Sequence, residues 1–130
     1  MFHQVVVAGN VGKNAESRFT PAGKQVASFS VATNREYTVN GNKVKETIWF
    51  NIATWGKLAE ICNAHVKKGM KVLVVGRLNA DKDTGGPRVY ETNGVHKASF
   101  DMTAHTVRFL SSKEEMAGVQ APLLPEDEPY

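Results

Sequence analysis

Residues 48–55 read I-W-F-N-I-A-T-W, an alternation that predicts a β-strand with one apolar face. Side chains two positions apart share a face of a strand, so Ile48 and Phe50 belong to a side typical of a core. The other side carries Trp49 and Trp55, six residues apart. Two indole rings outside a core either stack on the bases of a single-stranded nucleic acid or pack against a helix or a second subunit. The strand alone leaves both interpretations open.

Short apolar or alternating segments on both sides of this strand predict a mainly β protein. Asn40-Gly41 and Asn93-Gly94 each separate two such segments, and Asn-Gly is favoured in tight hairpin turns. About five core strands with one or two long hairpins are typical of a small closed barrel. The segments are 4–8, 24–33, 37–39, 44–46, 72–78, 88–91, 97–102 and 103–110.

The segment that follows the second tryptophan has the periodicity of a helix instead. Its apolar stripe predicts an amphipathic helix with Lys67 and Lys68 in the last turn and Gly69 as a left-handed stop. Cys62 and His65 fall within the stripe, so we interpret both as packing residues rather than as reactive groups. The predicted helix covers residues 57–68, and its stripe comprises Leu58, Ile61, Cys62, His65 and Val66.

The basic and acidic residues are unevenly distributed along the chain. Its formal net charge is +3, but residues 1–113 hold all 16 Lys and Arg and only 8 of the 13 acids, which gives this part +8. Residues 114–130 hold the other 5 acids and no base. A basic body attracts polyanions, whereas an acidic tail repels them or binds a basic partner.

The length and composition fit one cytoplasmic domain. A chain of 130 residues is long enough for one hydrophobic core. No apolar run approaches the roughly 18 to 20 residues needed to span a bilayer, and we expect no export signal and no membrane association. The single cysteine, Cys62, excludes an internal disulfide and is typical of a reducing cytosol.

Residues 113–130 lack periodicity and contain several prolines and acids, which predicts a flexible acidic tail. Acids followed by Pro and a terminal aromatic are typical of a docking peptide, in which charge steers a partner and the ring anchors it. A tail that only increases solubility is the alternative. The predicted docking tip comprises Glu126, Asp127, Glu128, Pro129 and Tyr130.

No segment predicts catalysis or a metal site. Gly9, Gly12 and Lys13 have the wrong spacing for a phosphate-binding loop, so we interpret this segment as a turn. Asp81 and Asp83 are interpreted as solvated loop acids rather than as metal ligands. The 4 histidines show no zinc-site spacing. We therefore expect no enzymatic activity, no cofactor and no metal.

Four segments together form an ordered set of motifs: V-V-V-A-G-N-V-G, F-S-V-A-T-N-R-E-Y, T-I-W-F-N-I-A-T-W-G-K-L-A-E and K-K-G-M-K-V-L-V-V-G-R-L. With the later run K-A-S-F-D-M-T-A, they resemble the bacterial single-stranded DNA-binding proteins. The resemblance implies an all-β, five-stranded oligonucleotide-binding (OB) barrel in residues 1–112, with one α-helix between strands 3 and 4 and extended β-hairpins. It also implies a disordered acidic tail, residues 113–130, and a homo-oligomer such as a tetramer.

The resemblance also implies roles for individual side chains. Trp49 and Trp55 match the aromatics that stack on bases, and Tyr37 takes the place of a further one. Asp83 stands where many relatives have another aromatic, so Tyr90 on the adjoining hairpin is the predicted substitute. Basic residues at or near positions that line the path of the DNA backbone are Arg35, Lys45, Lys57, Lys68, Lys82 and Arg88.

The implied function is sequence-independent binding and protection of single-stranded DNA during replication, recombination and repair. The acidic tail would recruit replication and repair proteins, in a cytoplasmic, nucleoid-associated setting. The tail departs from the family pattern, since it is short and ends in Tyr130 where Phe is typical. The alternatives are a replication-restart or RNA-binding OB module, a purely structural oligomer and an enzyme, the last disfavoured because no convergent catalytic set is visible.

Overall fold

Seven strands and one helix make up residues 1–111, the part of the chain that the computed structural model describes. The predicted tail, 113–130, lies outside these described residues. Within residues 1–111, no helix is long and apolar enough to cross a membrane. The elements are β1 (Val5–Val11), β2 (Glu16–Phe19), β3 (Gln25–Val39), β4 (Asn42–Trp55), α1 (Gly56–His65), β5 (Lys71–Leu78), β6 (Arg88–Thr92) and β7 (Val95–Phe109).

Five of the strands close into a barrel in the order β1-β5-β7-β4-β3, and β3 pairs back with β1. The β4–β7 pair is parallel, whereas the other pairs of the barrel are antiparallel. Closure leaves no free edge among these five strands. The helix α1 lies between the third and fourth barrel strands along the chain. The predicted five-stranded OB barrel with one helix is therefore confirmed.

Both Asn-Gly pairs form the predicted hairpin turns. Asn40 and Gly41 have φ of 51° and 78°, and Asn93 and Gly94 have φ of 51° and 79°. Two successive positive φ values define the type I′ turn, whose twist matches that of the flanking strands. The strands are longer than predicted, because each hairpin arm continues a barrel strand without a break, so β3 and β7 have 15 residues each.

The strand β2 was not predicted, because its sequence has no alternation to detect. All four of its residues are exposed, and it pairs with β3 outside the closed path of the barrel. A strand without a buried face carries no period-two hydrophobic pattern. Its addition to β3 nevertheless brings Arg18 to the surface described in the next subsection.

The barrel interior is filled by one face of each strand. Phe29, Ile52 and Met102 are fully buried, whereas the residues before them, Ser28, Asn51 and Asp101, are at least partly exposed. Thr54 is buried among these apolar side chains, and its hydroxyl donates a hydrogen bond to the carbonyl of Ala27 at 2.9 Å. This hydrogen bond satisfies the one polar side chain among the buried residues of the described chain.

The helix ends earlier than its sequence predicted. Lys67 and Lys68 do not lie in its last turn, because α1 ends at His65 and Val66 is already extended. Val66 leaves the helix so that its side chain enters the core and its carbonyl accepts the N–H of Ala15 at 3.3 Å. Gly69 does have a positive φ of 92°, but it serves the turn beyond the helix.

The buried stripe of α1 also differs in detail from the predicted one. Ala59 and Cys62 are buried, whereas Ile61 and His65, predicted to pack inward, are exposed. The ring of His65 meets only the edge of Phe109, at 6.2 Å between ring centroids. Burial raises the pKa of the Cys62 thiol to about 11, against a smaller lowering by its hydrogen bond with Thr54. The interpretation of Cys62 as a packing residue fits this placement.

The close approach of β5 to β7 yields a first prediction. A Cβ on Gly76 would overlap the carbonyl oxygen of Thr103, at the point where the register between the two strands shifts. Because backbone atoms cannot move aside cheaply, Gly76→Ala should lower the free energy of unfolding by about 1–3 kcal/mol or more. Urea denaturation followed by circular dichroism measures this loss.

Gly86→Ala is the matched control, since the nearest atom to its added Cβ would be Thr84 Oγ1 at 3.7 Å. We expect this variant to stay within about 0.5 kcal/mol of the unmodified chain. Equal stability of the two variants would contradict the close strand contact at Gly76.

Candidate nucleic-acid interface

Trp49 and Trp55 project from the outer face of β4, where 53% and 46% of each residue is exposed. Directly paired residues of neighbouring strands share a face, and between the two tryptophans these outward residues are small or polar. We call this surface the outer strip, defined by Trp49, Trp55 and the side chains between them: Ser28, Ser30, Asn51 and Ala53. The outer strip is thus a shallow surface with an indole ring at each end.

The ring of Trp49 rests on the backbone of Gly12. A Cβ on Gly12 would overlap Cζ3 of Trp49 and would also crowd the hydroxyl of Ser30. Only glycine therefore lets this ring approach so closely to the chain that follows β1. Part of the Trp49 ring packs on its own chain and the rest faces solvent, so its stacking on bases stays a prediction.

Tyr37 and Arg35 lie on the opposite face of the β3–β4 hairpin. The register between the two strands runs without a shift from Val26–Trp55 to the turn, so alternation places Tyr37 on the side away from the tryptophans. The guanidinium of Arg35 lies 4.7 Å from the Tyr37 ring centroid, and its Nε lies 3.5 Å from the carboxylate of Glu46. Within one chain, the structure does not bring this predicted pair to the outer strip.

Tyr90, in contrast, is connected to Asn51 of the outer strip by successive contacts through Arg88 and Asp101. Asn51 and Asp101 face each other across the parallel β4–β7 pair, and Asn51 Nδ2 donates to Asp101 Oδ1 at 2.9 Å. Arg88 Nε donates to Asp101 Oδ2 at 2.9 Å, and the guanidinium lies 5.2 Å from the Tyr90 ring centroid. Tyr90 is 40% exposed, so its ring remains accessible to solvent.

The carboxylate of Asp101 is surrounded by hydrogen-bond donors. Its burial would by itself raise its pKa, but hydrogen bonds from Asn51, Arg88 and Ser99, together with the positive charge of Arg88, lower the pKa below its usual value. Asp101 therefore stays ionised at neutral pH. Arg88 is still about half exposed, so a predicted phosphate contact at this residue would use a guanidinium that already has one anionic partner.

A cleft of about 540 Å³ lies over the outer strip and adds two basic residues that the sequence analysis missed. Lys13 and Arg18 line it together with Arg88, and Asp101 is the one acid among its lining residues. The excess of positive charge suits a phosphate backbone. Lys13 could have been found from its position next to Gly12, which contacts Trp49. Arg18 had no such signal, because it lies on the unpredicted strand β2.

The other predicted backbone contacts are exposed and are not among the residues that line this cleft. Lys57 lies in the first turn of α1, two residues after Trp55. Lys45 lies on the same face of β4 as the two tryptophans. Lys68 lies in the turn after α1, where its backbone N–H donates to Asn14 Oδ1 at 2.7 Å. Lys82 lies in the loop between β5 and β6. Their contacts with a DNA backbone stay a prediction.

Asp81 has a structural role in that same loop. Its Oδ1 accepts the backbone N–H groups of Asp83 and Thr84 at 2.9 and 3.2 Å, which closes a tight turn. Within residues 1–111, no three His, Cys, Asp or Glu side chains are grouped so that they could hold a metal ion.

The contact between Gly12 and Trp49 yields a second prediction. In a Trp55→Phe background, where Trp49 is the remaining tryptophan, Gly12→Ala should expose the indole ring because the new methyl group displaces it. We expect a red-shifted emission and stronger quenching by iodide. Gly86→Ala in the same background is the control and should change neither. An unaltered spectrum in the Gly12 variant would contradict the packing of Trp49 on this glycine.

Comparisons with known proteins agree with the fold and the motif order. The curated single-stranded DNA-binding protein of Neisseria meningitidis is 33% identical over 117 residues, which cover 89% of this chain and 64% of that protein. Single-stranded DNA-binding protein 3 of Listeria innocua is 37% identical over 120 residues, 91% of this chain and 69% of the relative. The chain thus spans slightly less than two thirds of the meningococcal relative.

A solved structure shares the fold. The Plasmodium falciparum SSB in complex with ssDNA superposes with a TM-score of 0.68 at 23% identity, covering 85% of this chain and 97% of that one. Residues 2–110 also match the sequence model of the Single-strand binding protein family. The barrel, the motif order and this match over nearly all described residues lead to one conclusion: the chain belongs to the single-strand binding protein family.

Proposed function

We propose that the chain binds single-stranded DNA across the outer strip, with little preference for sequence. The observation that carries the proposal is the pair of half-exposed indole rings at the two ends of the strip. The cleft over the strip, whose floor includes Asn51 and Ala53, is also lined by Lys13, Arg18 and Arg88. The names of the relatives and the complex of the Plasmodium protein with ssDNA support the same ligand.

Base stacking on aromatic rings and neutralisation of the phosphates by Lys and Arg would both contribute to the binding free energy. Each base stacked on an aromatic ring contributes on the order of 1–3 kcal/mol, a magnitude known for single-strand-binding barrels as a class. Lys and Arg release counterions from the phosphates, so affinity falls steeply as salt rises. Every base has a π-face, so sequence preference is low, and a duplex hides these faces, so single strands are preferred.

Titration with oligo-dT tests this proposal through the tryptophan emission. Saturating DNA should quench the emission, because bases would cover rings that are half-exposed in the free chain. Trp55→Ala should weaken binding by the contribution of about one stacked base, roughly 1–3 kcal/mol. Unchanged emission at saturation, or unchanged affinity of the variant, would argue that the ring serves packing.

Phe19→Ala is the matched control for that variant. Phe19 is 67% exposed but lies on β2, on the face opposite to Arg18, so the loss of its ring should leave DNA affinity unchanged. A duplex of the same length should compete poorly. Equal affinity for an RNA oligonucleotide would favour the RNA-binding alternative instead.

The broader roles are part of the same proposal. We infer protection of single strands during replication, recombination and repair, in the cytoplasm and near the nucleoid, by a protein that binds and does not catalyse. Self-association is supported by Val6 on the outer side of β1, which is 61% exposed, and by Phe2, which is 85% exposed. A tetramer is the assembly that the resemblance implies, and residues 1–112 would be its DNA-binding domain.

The acidic tail, 113–130, is proposed to recruit replication and repair proteins through residues 126–130. Deletion of residues 126–130 should leave DNA affinity equal or slightly higher, because the tip carries only negative charge. The same oligo-dT titration measures this effect. A marked loss of affinity would show that the tip belongs to the DNA site rather than to a separate docking peptide.

A further inference from the structure

Asp101 is an unexpected residue at the centre of a surface proposed to bind a polyanion. It lines the cleft beside three cations, and its carboxylate would repel a phosphate placed there. Its two oxygens already accept from Asn51 and Arg88, each at 2.9 Å. The carboxylate therefore joins the tryptophan strand β4 to the first residue of β6.

The second half of this connection runs from Arg88 to Tyr90. The two residues are two positions apart, so they lie on the same side of β6. Cζ of Arg88 lies over the Tyr90 ring, 5.2 Å from its centroid. A guanidinium that is also fixed by Asp101 holds the ring more firmly than a free one. Ser99, which pairs with Arg88 across the hairpin, donates its hydroxyl to the backbone carbonyl of Arg88 at 3.5 Å.

The hairpin needs such a connection because it stands outside the barrel. Among the described strands, β6 pairs with β7 alone, and all five of its residues are exposed. An isolated two-stranded hairpin is marginally stable, and a ring on a mobile arm loses conformational entropy when a base stacks on it. An anchor at the root of the hairpin reduces that loss before DNA arrives.

We propose that Asp101 is a positioning residue of the DNA site. Through Arg88 it holds Tyr90 in place, so that the β6–β7 hairpin adds a third stacking ring to the outer strip. This inference rests on the proposed function, since it assigns Asp101 a role in the same binding event. The repulsion between its carboxylate and DNA is offset by the preorganised ring.

Simple electrostatics makes the opposite prediction, and this difference allows a decisive test. If Asp101 were only a negative charge in a basic cleft, Asp101→Asn would tighten binding, most of all at low salt. If Asp101 positions Tyr90, the same variant weakens binding, and the loss persists at high salt, where charge effects are screened. A role confined to folding would lower stability without any dependence on Tyr90.

The experiment is a double-mutant cycle on oligo-dT affinity with Asp101→Asn and Tyr90→Leu, measured at low and at high salt. Tyr90→Leu alone should weaken binding roughly fivefold or more, the lower end of one stacked base. Asp101→Asn alone should weaken it roughly threefold or more, as part of the same stacking contribution. In the Tyr90→Leu background, Asp101→Asn should cause no further loss.

Glu91→Gln is the matched control, because it removes one negative charge from the other face of the same hairpin without touching Arg88. It should leave affinity equal or slightly higher. Arg88→Lys is the second variant, which keeps the charge but loses the planar guanidinium, and it should weaken binding only when Tyr90 is present. Arg88→Lys decides the question if Asp101→Asn proves too unstable to measure.

Two outcomes would overturn the proposal. One is tighter or equal binding by folded Asp101→Asn at high salt, and the other is an equal loss in the presence and absence of Tyr90. If the unmodified chain does not bind oligo-dT, the proposed function itself fails. That result is distinct from the others, because the unmodified chain is measured first.

Discussion

The alternation of side chains along β4, fixed by closure of the barrel, is the constraint on which the rest of the structure depends. Ile52 and Thr54 fill the interior, so Trp49 and Trp55 have no position available except the outer face. A slip of one residue would bury both indoles and expose the core, which the pairing of β4 with both β3 and β7 prevents. The exposed rings are therefore a consequence of a strand whose register is fixed on both of its edges.

The same alternation decides which other aromatic residues can join this surface. It turns Tyr37 to the far side of the β3–β4 hairpin, where Arg35 covers its ring. The parallel register of β4 and β7 turns Asp101, and with it Arg88 and Tyr90, toward the tryptophans. A role carried over by sequence position alone therefore has to be checked against the face on which each side chain lies. Tyr37 therefore does not share the face of the outer strip.

Local patterns explain how much of this could be predicted from the sequence. The tryptophan strand and both Asn-Gly turns depend on neighbouring residues, and these predictions are confirmed. The edge strand β2 has no buried face and so no pattern, and α1 ends early because Val66 has a partner in a distant segment, the Ala15 N–H. The contact of Asn51 with Asp101 joins residues 50 positions apart, so no local sequence pattern predicts it.

In the proposed binding mode, single-stranded DNA lies on the outer face of β4, between the two indole rings. Photo-crosslinking with an oligo-dT that contains 5-bromodeoxyuridine, followed by mass spectrometry of the peptides, tests it most directly. We expect crosslinks at Trp49 or Trp55, with Tyr90 as a further site. Crosslinks confined to the opposite face, at Tyr37 or Phe100, with none at either tryptophan would contradict it.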